Sequence, residues 1–240
     1  MKNRVLNIFG IKFINVNFGF FEKQFKKRKF FLVFPAAPAL ANIKDDRKYL
    51  TSLRGADYAL FDSGYLCLLL RIFKNINVSK FSGLKFLKLF LKFLKKNKSS
   101  LLLIDPNYQS SKRNIKLLKS YDIKNFENYI APKYNNLKIK DEKLLKIIKK
   151  NKPKNVIINL GGGIQENLGF YLQKKINFKM NIICTGAAIS FLTGEQAKIP
   201  DIIDNIYLGW FFRILFNPKL FIMRYFKAFK LFTIIIKNKI

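Results

Sequence analysis

Residues 155–175, NVIINLGGGIQENLGFYLQKK, and 181–225, NIICTGAAISFLTGEQAKIPDIIDNIYLGWFFRILFNPKLFIMRY, decide the fold. Two β-branched runs, 156–160 and 182–184, each end in glycine or Thr-Gly and give way to a helix-compatible segment, the pattern of strands in βαβ units. Ligands of such sheets collect at the carboxyl ends of the strands. The loops 161–165 and 185–188 are therefore the first candidates for a binding site, because glycine lets backbone approach a phosphate or sugar closely.

Working outward, residues 5–17 alternate loosely and suit an edge hairpin, and FEKQFKKRK (21–29) reads as an exposed basic helix. A strand is expected at 30–34, ended by Pro35 and Pro38, then a helix over 39–54 and a second strand at 58–61. That strand runs into Asp62-Ser63-Gly64, which opens a helix at 65–73. A carboxylate there suits an active-site acid or base and equally an ordinary helix N-cap, and position alone favours the cap. The segment 82–98, SGLKFLKLFLKFLKKNK, is a basic amphipathic helix with Lys85, Lys88, Lys92 and Lys95 on one face. Such a helix suits a membrane surface, but a strand at 101–104 follows at once, so an outer helix covering a sheet is preferred. Then come a turn at Asp105-Pro106-Asn107, a basic helix over 111–120, a loop over 121–136 and a lysine-rich helix over 141–150. The expected fold is α/β: a single Rossmann-like, doubly wound, mostly parallel sheet of about five strands, spanning 1–205, with a C-terminal amphipathic helical appendage at 206–240.

Composition bounds the chemistry. Lys and Arg number 46 against 14 acidic residues, a formal net charge of +32, which favours anionic partners. An AT-rich coding sequence would also produce this excess of Lys, Ile, Asn and Phe, and the two explanations weigh equally. There is no histidine, so Ser-His-Asp and Cys-His catalysis and histidine-ligated metals are excluded. Cys67 and Cys184 stand far apart in apolar surroundings and read as buried free thiols. No run approaches the roughly 18 apolar residues of a spanning helix, and the amino terminus lacks a clean apolar signal core, so a soluble or peripheral cytoplasmic protein is expected. From 208 to 240 aromatic and aliphatic residues interleave with Arg213, Lys219, Arg224, Lys227, Lys230, Lys237 and Lys239, a composition suited to an anionic membrane surface and alternatively to packing on the core.

The triple glycine Gly161-Gly162-Gly163 has the spacing of neither the dinucleotide fingerprint nor the P-loop. No Asp-X-Asp pair sits at a strand end to anchor a metal. Gln165 and Glu166, directly after the glycines, could bond ligand hydroxyls beside a helix N-terminus or be ordinary first-turn polar residues.

In order and spacing these segments resemble the WecG/TagA/CpsF family of glycosyltransferases, over roughly 30–229. Its acidic strand-end motif is similar to Ala56-Asp57 leading to Asp62-Ser63-Gly64, and its next glycine to Ser82-Gly83. Its Gly-x-Pro-Lys-Gln-Glu is matched by 161–166 with Gln165 and Glu166 retained. Its later glycine-rich strand end resembles Thr185-Gly186-Ala187-Ala188, with Gly194 and Pro200 beyond. The family's tail motifs are approximated by Leu208-Gly209-Trp210 with Arg213, and by Pro218 with Arg224-Tyr225. Departures are Phe34-Pro35-Ala36 in place of Thr-Pro-Asn, and Gly163-Ile164 in place of Pro-Lys.

The resemblance implies an inverting transfer, with no metal or other cofactor, of a sugar from a nucleotide diphosphate, UDP-N-acetylmannosamine or a related UDP-sugar. The acceptor would be an undecaprenyl-diphosphate-linked sugar at the inner face of the bacterial cytoplasmic membrane, in cell-surface polysaccharide or teichoic acid synthesis. It implies Asp62 as catalytic base, and donor or acceptor contacts from Gly64, Gly161, Gly162, Gln165, Glu166, Thr185, Gly186, Arg213 and Arg224. No nucleic-acid partner is expected. Two alternatives remain open: a member that has lost catalysis but binds the lipid-linked sugar, and a basic nucleic-acid-binding protein.

Overall fold

The computed structural model describes residues 4–27, 29–135, 139–196, 214–215 and 217–237. Among them lies one eight-stranded sheet in the order β1-β2-β4-β3-β8-β7-β5-β6. The five expected strands are all present: β3 (Phe31–Val33), β4 (Tyr58–Leu60), β5 (Leu101–Asp105), β7 (Asn155–Ile158) and β8 (Asn181–Cys184). The expected hairpin supplies β1 (Arg4–Ile8) and β2 (Ile11–Asn15), the antiparallel pair of the sheet. All other strand pairs are parallel.

Two expectations need correction. The stretch 121–136 holds a strand, β6 (Phe126–Ile130), that reads as loop because only Tyr129 of its residues is buried at this sheet edge. The single helix expected over 39–54 is two, α2 (Ala37–Ala41) and α3 (Arg47–Arg54), since the Asp46 carboxylate caps a fresh helix at the Tyr49 N–H, 2.9 Å away.

The β-rich runs are apolar on both sides because helices cover both faces of the sheet. One face carries α2, α3, α4 (Gly64–Lys74), α7 (Glu142–Asn151) and α8 (Ile164–Lys175); the other carries α1 (Phe18–Lys27), α5 (Gly83–Asn97), α6 (Tyr108–Ser120) and α9 (Ala188–Leu192). Helix α1 is less exposed than its lysines suggest, burying Phe21 and Phe25 in an aromatic cluster with Phe30, Phe86 and Phe90. Helix α5 covers the sheet as the amphipathic pattern requires: Phe86, Leu87, Phe90, Leu91 and Leu94 are buried, while Lys85, Lys92, Lys95 and Lys96 are exposed.

Polar side chains pin the amino ends of the strands. Asp57 accepts from the Phe31 N–H at 2.8 Å and from Gln173 at 3.2 Å, which ties β4 to β3 and α8. Asn155 joins β5 and β8 by donating to Ser99 and accepting from Asn181. With the amino ends fixed, the carboxyl ends of β3, β4, β5, β7 and β8 share the opposite edge.

Two further helices, α10 (Pro218–Ala228) and α11 (Lys230–Lys237), end the described chain and pack on α2 and α4. Their inner residues Ala228, Leu231 and Ile235 are buried in the same core as the sheet.

Helix α8 lies close to the sheet because residue 169 has no side chain. A Cβ there would stand 2.5 Å from the ring of buried Phe31 and 3.2 Å from Cys184 Sγ. Gly169→Ala is expected to lower stability by about 1–3 kcal/mol through overpacking, despite the better helix propensity of alanine, and denaturant unfolding of the variant measures it.

Candidate active site

Strands β7 and β8 are neighbours, yet the helices that follow them go to opposite faces: α8 buries Leu168 and Leu172 with one core, α9 buries Ala188 and Ile189 with the other. Adjacent loops that part in this way open a crevice at the strand ends. Its two lips are the glycine turn 161–163 and the Thr185-Gly186 loop.

The glycine turn borders open space: a Cβ at Gly161, Gly162 or Gly163 would meet nothing within 4 Å. Gly163 starts α8 with φ +89, a conformation that side chains disfavour. Its N–H donates to Glu166 Oε2 at 2.7 Å. Glu166 Oε1 accepts from the Gln165 amide at 2.8 Å, and Gln165 Oε1 accepts from the Gly186 N–H at 3.1 Å. One chain of hydrogen bonds thus ties both lips together. Both side chains are buried, Gln165 at 2 % and Glu166 at 1 % exposure, so their polar ends serve the loops.

Asp62 stands after β4, half-buried. It does not cap α4; Ser63 does, its hydroxyl accepting from the Leu66 N–H at 3.1 Å. Asp62 Oδ1 instead accepts from the Gly83 N–H, the first residue of α5, at 2.8 Å. Gly83 in turn lies against the β8 loop: a Cβ there would come within 2.7 Å of the Thr185 carbonyl oxygen. The acid is thereby held to the same edge as the crevice, through α5 and Thr185. Buried Tyr49 on α3 reports the same proximity, since its phenol is pushed well above the usual range by burial first and then by Glu166, Asp46, Cys184 and Asp62.

The structure puts Asp62, Gly161, Gly162, Gln165, Glu166, Thr185 and Gly186 at this edge, with Gly64 opening α4 beside Asp62. Thr185 is buried, with no hydrogen-bond partner for its hydroxyl. Arg213 lies outside the described residues, and Arg224 falls on α10. Phe34, which follows β3, is buried against Phe86, and its Cγ lies 3.6 Å from where a Gly83 Cβ would stand, so an aromatic ring underlies this corner.

The model of the family described as Glycosyl transferase WecG/TagA/CpsF matches residues 6–240. The chain belongs to the WecG/TagA/CpsF family of glycosyltransferases. A search of curated proteins finds no match.

Two groups in this WecG/TagA/CpsF glycosyltransferase escape a sequence reading. Lys80, half-buried ahead of α5, acts with Asp62 on the Cys67 thiol; burial raises that thiol to about 12, Lys80 opposes the rise and Asp62 adds to it. Lys80 and Asp62 thus both act on Cys67, but one lysine among so many carries no signal in the sequence. Asp105, expected in a turn, instead ends β5 and is fully buried, and Asn114 and Asn159 both donate to it at 2.8 Å. Among the described residues no three His, Cys, Asp or Glu side chains converge as a metal site. Two surface concavities among the described residues lie elsewhere: one of about 520 Å³ along α1, and one of about 120 Å³ at the amino ends of β3 and β8.

Burial lifts the Glu166 carboxyl from 4.5 to about 7, against the opposing hydrogen bonds from Gln165 and Gly163. The folded protein keeps a proton there that the unfolded chain has already released, so stability falls as pH rises from about 4.5 to 7, by ~3 kcal/mol. Glu166→Gln should flatten that part of the pH–stability curve measured by denaturant unfolding. It should also lower stability overall, because a Gln amide facing the Gln165 amide sets donor against donor.

Proposed function

We propose that this glycosyltransferase moves a sugar, with inversion, from a nucleotide diphosphate to a polyprenyl-diphosphate-linked sugar, and that Asp62 is the base. The observation that carries this reading is the Asp62 carboxylate held by the Gly83 N–H against the Thr185 loop, at the edge where the glycine turn opens. Family membership supplies the reaction class. The acceptor hydroxyl attacks the anomeric carbon on the face opposite the departing nucleotide diphosphate, and Asp62 takes the hydroxyl proton as the new glycosidic bond forms.

The leaving diphosphate gains negative charge. Backbone N–H groups at Gly161 and Gly162, with Lys80, Arg213 and Arg224, are the groups assigned to stabilise it, and no metal or other cofactor is required in this scheme. Gln165 and Glu166 position the two lips through their hydrogen bonds, in place of the direct sugar contact expected of them from sequence. Thr185 and Gly186 form the second lip, and Gly64 borders the acid. Phe34 and Ala36 make the wall after β3 less polar than the family's Thr and Asn would, which suits a donor related to, and distinct from, N-acetylmannosamine.

A peripheral site at the cytoplasmic face of the membrane is supported by the outer surface of the last helices. Ile222, Met223, Phe226, Phe229, Phe232 and Ile236 are exposed there, Phe226 at 71 %, and Ile72 and Phe73 of α4 continue the patch. Lys219, Lys227, Lys230 and Lys237 on the same two helices are exposed as well. Exposed apolar residues interspersed with cations suit an anionic bilayer. Tyr65, next to Gly64, packs against Phe229 with ring centroids 6.0 Å apart, so the surface meant for lipid abuts the loop that carries the acid. Among the described residues no helix is long and apolar enough to cross a membrane.

Two experiments test this. With an undecaprenyl-diphosphate sugar acceptor and a panel of UDP-sugars, Asp62→Asn should lower transfer by about 100-fold or more with folding intact, and equal rates would remove Asp62 as base. Because Leu231 and Ile235 belong to the core, the membrane surface is tested on its outer side. Met223→Ser with Phe226→Ser should weaken sedimentation with anionic vesicles by about tenfold or more, and unchanged binding would reject this docking face.

A further inference from the structure

Asp105 has no place in the transfer chemistry, and among the described residues it is the most deeply buried acid outside the crevice. It ends β5 with a fully buried side chain, next to Asn159 on the chain leading from β7 to the glycine turn, and to Asn114 on α6. Asp105 Oδ1 accepts from both carboxamide nitrogens at 2.8 Å. That leaves three buried oxygens without a hydrogen-bond partner in one cluster: Asp105 Oδ2, Asn114 Oδ1 and Asn159 Oδ1.

Hydrogen counting decides what the cluster lacks. The Ser111 hydroxyl lies beside the Asp105 carboxyl, and since its oxygen already accepts from Asn128 at 2.7 Å, it has one hydrogen to give. If Asp105 were ionised, three acceptors would share that single hydrogen and two would stay orphaned in the protein interior. If Asp105 carries a proton, Oδ2 becomes a donor and at most one acceptor is left over. An acid and a carboxamide facing each other with one N–H···O bond made are complementary at their second pair of atoms only when the acid is protonated.

We propose that Asp105 is a neutral acid that donates from Oδ2 to a neighbouring carboxamide oxygen, and that this acid–amide pairing fixes the end of β7 from which the glycine turn springs. Asp105 is then a positioning residue. Asn159 is held to β5 twice, by its side chain to Asp105 and by its N–H to the Ile104 carbonyl at 2.9 Å, and Gly161 follows two residues later.

The surroundings agree with a neutral group. Burial raises the Asp105 carboxyl, opposed by the hydrogen bonds of Asn159, Asn114 and Ser111, while Glu195 raises it further. Helix α6 faces it with Ser111 and Asn114, the end of β7 with Asn159, and β6 reaches it through Asn128. Glu195, in the loop after α9, is itself bonded to Ser110 and paired with Arg113 at 3.1 Å. No cation stands against the carboxyl among these groups.

The positioning role rests on the donor-site reading above, but the proton does not, and the experiment separates them. Infrared difference spectra of wild type against Asp105→Asn at neutral pH should show the loss of a protonated-carboxyl band. Asp105→Asn, whose amide can donate where the acid did, should unfold at nearly the wild-type temperature and bind uridine diphosphate within about twofold of wild type. Asp105→Ala should weaken that binding about tenfold. A carboxylate band in place of the acid band, or an Asn variant as damaged as the Ala variant, would overturn the proposal, as would wild-type stability that depends on added sodium, potassium or magnesium at that carboxyl. Failure of wild type to bind uridine diphosphate would overturn the positioning role and the donor-site reading, leaving the proton assignment to the spectrum.

Discussion

The crevice depends on two adjacent side chains that never face solvent. Glu166 and Gln165 bridge the N–H of Gly163 on one lip to the N–H of Gly186 on the other, so two loops that diverge to opposite faces of the sheet keep a fixed separation. Glycine is required at both ends of the bridge, because Gly163 and Gly186 have φ of +89 and +66. A carboxyl group buried that deeply is unstable as an isolated anion, and the two N–H donors supplied by Gln165 and Gly163 make its burial tolerable. The Gln165-Glu166 pair thus has a mechanical role in this chain: it joins the two lips while remaining behind them.

The acid at the edge is supported by a different device. Asp62 spends one oxygen on the first N–H of α5, and Gly83 can bring that helix within reach because it lacks a side chain that would strike the Thr185 carbonyl. A carboxylate suits a helix N-terminus, where unsatisfied backbone N–H groups and the helix dipole favour negative charge. The basic amphipathic helix therefore has two functions: its Phe and Leu face covers the sheet, and its first residue orients the acid. The tail helices connect this arrangement to the exterior, with an inner face in the core and an outer apolar face that continues onto α4.

Much of this was legible in the sequence where local pattern and burial coincide. The buried parallel strands announce themselves as continuous apolar runs, and glycines and Thr-Gly mark the loops that prove to be the lips. β6 was hidden because an edge strand with one buried side chain has no alternation to detect. The break between α2 and α3 was hidden because Asp46 caps only once the chain has turned. Asp62 looked like a cap for α4, and its true partner, Gly83, lies 21 residues away, a pairing that only tertiary structure creates. Gln165 and Glu166 stand out in the sequence by their position after the glycines, but whether they point outward or inward is set by the packing of α8 on β8, which a linear pattern does not encode.

The central claim is that a nucleotide diphosphate occupies the crevice between the glycine turn and the Thr185-Gly186 loop, in front of Asp62. Backbone amide resonances of isotopically labelled protein, followed while uridine diphosphate is added, test it most directly. The account predicts that the largest saturable shifts fall on Gly161, Gly162, Gly163, Gly186 and Gly83. Shifts confined to the lysine-bearing outer faces of α1, α5 and α6, fading as salt is raised, would contradict it and leave a basic protein that collects anions on its surface.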